Sequence, residues 1–511
     1  SMPGMMDTVL NVGMTDDVAA ALGAATGDEW FGWDTARRFV QSYATIVLGA
    51  SEELVRSVMA EHLGPDEGRS LDPTDLARAT RRVRSRLVDE GFEIPVDPDR
   101  QITAAVAAVF ESWGADRARV YRKVEGISET LGTAATVQMM TFGNLGERSG
   151  TGVAFTRDPS TGAAGLVGDF LVGAQGEDVV AGTHATLPIA ELRSLWPDVA
   201  DHLDDAASRL ERDLEDLVDI EFTVENGSLW MLQVRRGKRS PQAALRIAID
   251  LAEDPAFAMG RIEALERVAD ILEDPPTRFN PASGHAEHEV LVSGLAASPG
   301  RVTGGLCTDI GEAIEAGARG EQIVLIRRET SPADIAGMAE AAGLVTSLGG
   351  LVSHAAVIAR SWGVPAVVGV SEITVEPTGI TVGERFIASG EVLTIDGDRG
   401  VVLLGDHPSD EIEVDEVAIL RRWQRDDAAA HHGVLAAGSG FTETATTEAC
   451  ERVLTLKGMG SGASVAEVLG CEVDDVTPIM AHLIASESVS YTHLTLPTTW
   501  SRCRSRWSPY H

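Results

Sequence analysis

Six residues, Gly349-Gly350-Leu351-Val352-Ser353-His354, join a strand to a helix, and this junction constrains the fold more than any other feature of the chain. Val345-Thr346-Ser347 reads as a strand end, the two glycines permit a tight turn, and Ala355 to Arg360 is a good helix former. Ser353 is then the expected N-cap. The His354 imidazole falls in the first helical turn, beside unpaired backbone N–H groups that favour an anion. A phosphate carried on the ring would be stabilised there. A lone histidine beside a glycine turn is more often a satisfied polar residue than a catalyst, so the rest of the chain has to decide.

A second pattern lies upstream. Asp219-Ile220-Glu221-Phe222-Thr223-Val224 and Leu229-Trp230-Met231-Leu232-Gln233-Val234-Arg235 alternate as two strands around a turn at Glu225-Asn226-Gly227-Ser228. Alternation puts Asp219, Glu221 and Thr223 on one face, with Gln233 and Arg235 on the partner strand. Adjacent carboxylates repel unless a cation lies between them. Two readings fit that face: a Mg²⁺ and phosphate site, with Arg235 forked on a phosphate, or a solvated hairpin carrying an ordinary salt bridge. No GxxxxGK[ST] run occurs in the sequence, which excludes a P-loop nucleotide site.

Around His354 the chain resembles the phosphohistidine swivelling domain of the pyruvate phosphate dikinase and phosphoenolpyruvate synthase group. The resemblance is carried by Glu329-Thr330-Ser331-Pro332-Ala333-Asp334-Ile335 upstream, by Gly363-Val364-Pro365-Ala366-Val367-Val368-Gly369 and Ile395-Asp396-Gly397 downstream, and by Ser298-Pro299-Gly300 with Gly304 at the first strand. Val352 stands where the dikinases usually have a regulatory threonine, so that mode of control is not expected. The hairpin, continued through Arg236-Gly237-Lys238-Arg239-Ser240, resembles the last strands of the same family's ATP-grasp domain. Val137 to Asn144, Ser149 to Arg157 and Gly173 to Val180 extend the match.

The resemblance implies a set of roles. His354 is the phosphoryl-carrying catalytic residue, supported by Gly349, Gly350 and Ser353. Asp219, Glu221 and Gln233 hold Mg²⁺. Thr151, Gly152, Glu177, Gln233 and Arg235 bind ATP, with Gly150-Thr151-Gly152 a flexible loop approaching the phosphates and Glu177 on the ribose. The fold class is α/β, multi-domain: ATP-grasp over 1–240 with a helical insertion at about 30–125, a helical linker over 241–289, a swivelling β/β/α phosphohistidine domain over 290–405, and a small helical bundle over 406–487. Trp33, Ala36, Val40, Tyr43 and Ile46 recur at helical spacing in the insertion and read as core. The C-terminal part is expected as three helices, near 412–430, 446–457 and 463–487, with a glycine turn at Gly458 to Gly462. Pro275-Pro276 should end the helical linker and give the swivel its connector. His285 and His288 have ligand-like spacing in a polar linker and read as solvated.

Composition narrows the partners. A formal charge of −36 argues against nucleic-acid and anionic-membrane partners. No apolar run approaches the ~20 residues of a membrane span. Cys307, Cys450, Cys471 and Cys503 have unrelated spacings that suggest neither disulfides nor zinc, and the cytoplasm is the default location. The family match begins at Ser1-Met2-Pro3-Gly4-Met5-Met6-Asp7-Thr8, inside that family's ATP-grasp domain, so the chain is expected to be a fragment. Residues 488–511 lack Asp, Glu, Ala and Gly and read as a non-native tail.

The expected function is that of an ATP-dependent phosphotransferase. ATP and Mg²⁺ would phosphorylate His354 for transfer to pyruvate or another acceptor, with phosphate a co-substrate, pyruvate or phosphoenolpyruvate on a separate chain, and a homodimer as the assembly. A second reading is a phosphotransferase acting on a rifamycin-type antibiotic or other small molecule. A third is a non-catalytic regulatory relic that binds a protein partner.

Overall fold

Apolar residues at helical spacing dominate the first 125 residues, and period-two alternation takes over after Gly150. The computed structural model follows that change. It describes residues 6–426 except 65–67, 69, 177, 179–185, 280–289 and 408–410. The chain divides into two compact units, Ser1–Met259 with Asp270–Val414, and Gly260–Ala269 with Asp415–His511.

The first unit opens with six helices: α1 (Asp16–Thr26), α2 (Glu29–Ser42), α3 (Glu52–Leu63), α4 (Pro73–Asp89), α5 (Pro98–Ser112) and α6 (Asp116–Val124). Thr15, Asp28, Ser51, Asp72 and Asp97 cap the first five, each accepting a backbone N–H in the first turn. Trp33, Ala36, Val40 and Tyr43 pack into one apolar cluster, as their spacing predicts.

A five-stranded antiparallel sheet follows, in the order β3-β2-β1-β4-β5. Its strands are β1 (Gly150–Arg157), β2 (Ala164–Val172), β3 (Leu187–Pro188), β4 (Val218–Glu225) and β5 (Ser228–Arg236). Between β3 and β4 run α7 (Leu192–Leu195) and α8 (Pro197–Leu214). Ile220, Phe222 and Val224 bury one face of the sheet with Val199 and Leu203 of α8. Asn226 and Gly227 take positive φ in the β4–β5 turn, the geometry that a two-residue hairpin needs. Helix α9 (Pro241–Glu253), expected within a linker, packs on this domain: Ser240 donates to the Ser160 carbonyl at 2.6 Å and Arg157 pairs with Asp250 at 2.9 Å. Its six apolar side chains Ala243, Leu245, Ile247, Ala248, Ile249 and Leu251 are buried, and it is helical as expected.

After Pro275-Pro276 comes strand β6 (Thr277–Phe279), then β7 (Val290–Ser293), β8 (Leu295–Ser298), β9 (Arg301–Cys307), β10 (Ile323–Arg327), β11 (Gly343–Thr346) and β12 (Ala366–Val368), with β13 (Ile373–Glu376), β14 (Gly379–Val382), β15 (Arg385–Ala388), β16 (Val392–Asp396) and β17 (Val401–Leu404) beyond. The eight-stranded sheet runs β7-β17-β16-β9-β10-β11-β12-β8, and β13-β14-β15 forms a second small sheet. Between the two lies a Val/Ile/Leu core that includes Val324, Val345, Ile380 and Ile395. The other face of the large sheet is covered by α10 (Ile310–Ala318), α11 (Ile335–Glu340) and α12 (His354–Trp362). These layers are β/β/α, as expected.

Strand β18 (Glu411–Glu413) pairs with β6, so the first C-terminal helix starts later than expected, at residue 415, and its described part runs to 426. In the second unit the Arg261 guanidinium lies 4.8 Å from the Trp423 ring. His285, His288, the two later predicted helices, the Gly458 turn and the 488–511 tail lie outside the described residues. No helix among the described residues is long and apolar enough to cross a membrane.

Candidate functional site

The histidine turn is built almost wholly from backbone. Strand β11 ends at Thr346, whose hydroxyl donates to the Leu348 carbonyl at 2.7 Å. Gly349 then takes φ +102°, where a side chain would be strained and would crowd Ser353. Ser353 holds the N-cap position, but its hydroxyl makes no cap hydrogen bond; its carbonyl starts the helix by accepting from Val357 at 3.0 Å. His354 is the first helical residue. Its Nδ1 lies 3.2 Å from the Thr330 hydroxyl, and Nε2 is buried with no hydrogen-bond partner. Burial holds the imidazole down to about 4, against the opposing pull of Asp334, so the ring is neutral at pH 7.

The second centre is built by strand pairing. Asp219 stands opposite Arg235 and Glu221 opposite Gln233. Arg235 Nε donates to Asp219 at 2.7 Å, and its Nη2 lies 3.0 Å from Glu221. The cation between the two carboxylates is therefore this arginine. Burial pushes both carboxyls up against the pull of Arg235. Asp219 Oδ1 remains buried without a partner, which leaves one carboxylate oxygen open to a further cation. Glu221 and the register-paired Gln233 stand beside it. Two carboxylates and an amide are enough for Mg²⁺, which takes few protein ligands and completes its shell with water and phosphate oxygens. Among the described residues no group of three His, Cys, Asp or Glu side chains gathers as a metal site.

The two centres meet within the first unit. Asp169 on β2 pairs with Val153, which pairs with Glu221, so Asp169 shares their face of the sheet. The histidine turn lies against it: a methyl group added to Gly350 would collide with the Asp169 carboxylate. Ser160 donates to the Ala297 carbonyl at 3.0 Å across the same junction. Arg360, on the histidine helix, is fully buried there, donating to the Ala297 carbonyl at 3.1 Å and the Leu351 carbonyl at 2.8 Å. Burial pushes its guanidinium down to about 10, while Asp158, Asp219 and Asp169 oppose that shift.

Of the residues expected from sequence, Gly349, Gly350, Ser353 and His354 form the turn, and Asp219, Glu221, Gln233 and Arg235 form the polar face. The flexible-loop expectation for Gly150-Thr151-Gly152 is corrected. These residues are the buried start of β1, the central strand. Thr151 donates to the Phe222 carbonyl at 3.1 Å and accepts from Thr223. The place of a Gly152 side chain is taken by Phe222 and Phe170, so these glycines serve close packing. Glu177 lies outside the described residues. Sequence reasoning missed Thr330, Asp169 and Arg360 as contributors. Thr330 and Arg360 lie in the motif runs around His354; Asp169 carries no local signal.

Around the histidine turn, residues 320–400 match the family described as "PEP-utilising enzyme, mobile domain". Residues 1–190 and 183–254 match "Pyruvate phosphate dikinase, AMP/ATP-binding domain", and the chain belongs to the pyruvate phosphate dikinase family. It is 43% identical over 436 residues to pyruvate, phosphate dikinase of Rhizobium meliloti (strain 1021), covering 80% of this chain and 47% of that protein. The corresponding figures for the Clostridium symbiosum protein are 42% over 436 residues, 83% and 49%. For the chloroplastic protein of Mesembryanthemum crystallinum they are 37% over 489 residues, 90% and 51%. The chain thus spans about half the length of the curated relatives it matches.

Proposed function

We propose that this chain carries the ATP-dependent half-reaction of a pyruvate phosphate dikinase-type phosphotransferase, in which His354 takes the phosphoryl group. The observation that carries this reading is the seating of the His354 turn on the face of the sheet that bears Asp219, Glu221 and Arg235. In the tautomer whose Nδ1–H donates to the Thr330 hydroxyl, 3.2 Å away, Nε2 presents a lone pair from a neutral ring. That nitrogen attacks a phosphorus of ATP. The bond to the leaving phosphate oxygen breaks, giving ADP if the γ-phosphorus is attacked, or AMP and a pyrophosphorylated ring if the β-phosphorus is.

The residues of this chain supply positioning and charge. Backbone N–H groups at the start of α12 stabilise the anion formed on the ring. Arg235, held between two carboxylates, presents a fixed guanidinium to phosphate oxygens. Asp219, Glu221 and Gln233 would hold Mg²⁺, whose chemistry is to neutralise phosphate charge. Pyruvate and inorganic phosphate, which the relatives' names carry, complete the reading as further substrates, and a homodimeric assembly and a cytoplasmic location are proposed with them.

The test is to incubate the chain with ATP radiolabelled in the β or the γ phosphate and to follow acid-labile, base-stable label on protein. Label in the wild type and none in His354→Ala is expected. Label that survives the substitution would sink the relay.

A further inference from the structure

We infer that Glu125 is the positioning residue that latches the C-terminal end of the histidine helix onto the nucleotide-binding half of the unit. This deepens the proposed function, on which its kinetic consequence rests. Glu125 closes α6, with its backbone N–H donating to the Tyr121 carbonyl. One carboxylate oxygen accepts from Ser361 at 3.0 Å and from the Trp362 indole at 3.1 Å, the last two residues of α12. The other takes the Lys238 ammonium at 2.5 Å, just beyond β5 and its Gln233 and Arg235. One carboxylate therefore ties three segments that are more than 100 residues apart in sequence.

The surroundings fit a latch. Ala118 and Tyr121 of α6 are fully buried in the apolar cluster that also holds Ile335, Met338, Ala355 and Ile358 of the histidine domain. That contact is apolar and does not by itself fix the helix rotation. The donors of Ser361 and Trp362 do, because they point the His354 end of a nine-residue helix toward the sheet. Lys238 keeps Glu125 charged and in place when the helix departs. Burial alone would raise the carboxyl, yet the hydrogen bonds from Lys238, Ser361 and Trp362 hold it below its ordinary range.

The test compares the full chain with Glu125→Ala, Glu125→Gln, Trp362→Phe and Glu125→Ala/Trp362→Phe. Amide exchange over 116–125 and 354–362 reports seating, ATP-dependent labelling of His354 reports its consequence, and the melting transition checks folding. Glu125→Ala should speed exchange in both segments and slow labelling about tenfold with the apparent KM for ATP unchanged. Glu125→Gln, which keeps an acceptor for Ser361 and Trp362, should recover most of the loss. The double variant should be no worse than Glu125→Ala alone. If Glu125→Ala does not fold, Trp362→Phe must still speed exchange in the 116–125 segment. Unchanged exchange in both single variants, or additive losses in the double, would overturn the latch. Absence of label in the wild type would instead contradict the phosphotransfer reading, and the exchange data alone would then decide the latch.

Discussion

The histidine turn and the polar sheet face are built by opposite means. In the turn, glycines, a strand end and a helix start place the imidazole mainly through backbone, and one side chain, Thr330, meets the ring directly. On the sheet every functional group is a side chain, positioned by register between strands and balanced against its neighbour's charge. A backbone-built site tolerates side-chain change around its one reactive group. A register-built site loses its charge balance when any member is altered. Under the proposed function, the difference suits a donor face that holds a polyphosphate and a carrier that leaves it.

The largest effect expected is at the carrier's reactive group: His354→Ala should reduce labelling at least about a thousandfold, to background. Next comes the sheet face, where Asp219→Asn should cost about a hundredfold in labelling, because it removes a charge from a buried, paired set. If it costs less than the turn substitutions below, the proposed contrast between the two centres fails. Gly350→Ala comes third. The added methyl meets Asp169, so labelling should slow about tenfold, and Asp169→Gly in the same chain should restore part of it. Thr330→Val is expected to be mildest, about three- to tenfold in rate, with the melting transition unchanged.

A pH series sharpens the same contrast. The free imidazole titrates near ~6.5, whereas the seated ring is held at about 4. The unseated ring therefore binds a proton first as the pH falls. Seating should be complete above pH ~6.5 and lost progressively as the pH drops toward about 4. Exchange protection over residues 354–362 reads this directly. Protection that rises as the pH falls through that window would reverse the sign and contradict the buried, neutral ring.

What could be read from the sequence follows the same division. The turn was legible because its cause is local, from Val345 to Arg360 in one run. The hairpin was legible because alternation and an Asn-Gly turn mark it locally; the β-bulge between Glu221 and Phe222, which sets Glu221 opposite Gln233 and Asp219 opposite Arg235, carries no such signal. Glycines at 150 and 152 read as a loop, since nothing in the sequence shows that Phe170 and Phe222 fill the space beside them. Arg235 was expected on a phosphate, and its role as bridge between Asp219 and Glu221 needed the pairing register. Asp169 contacts a turn 181 positions away in the chain, and Glu125 reaches Ser361 and Trp362 across 236 and 237 positions. Only packing brings such groups together. The helix beginning at Pro241 reads from sequence as part of a helical linker because its apolar face gives no hint of which domain covers it.

In the proposed reaction a neutral His354, with Thr330 at Nδ1, takes a phosphoryl group from ATP at Nε2. Phosphorus NMR of the chain after reaction with ATP and Mg²⁺, with the modified site mapped by fragmentation mass spectrometry, tests it most directly. A single phosphohistidine at residue 354 with the phosphorus on Nε2 is expected. Phosphorus on Nδ1, or on any residue other than His354, would contradict it.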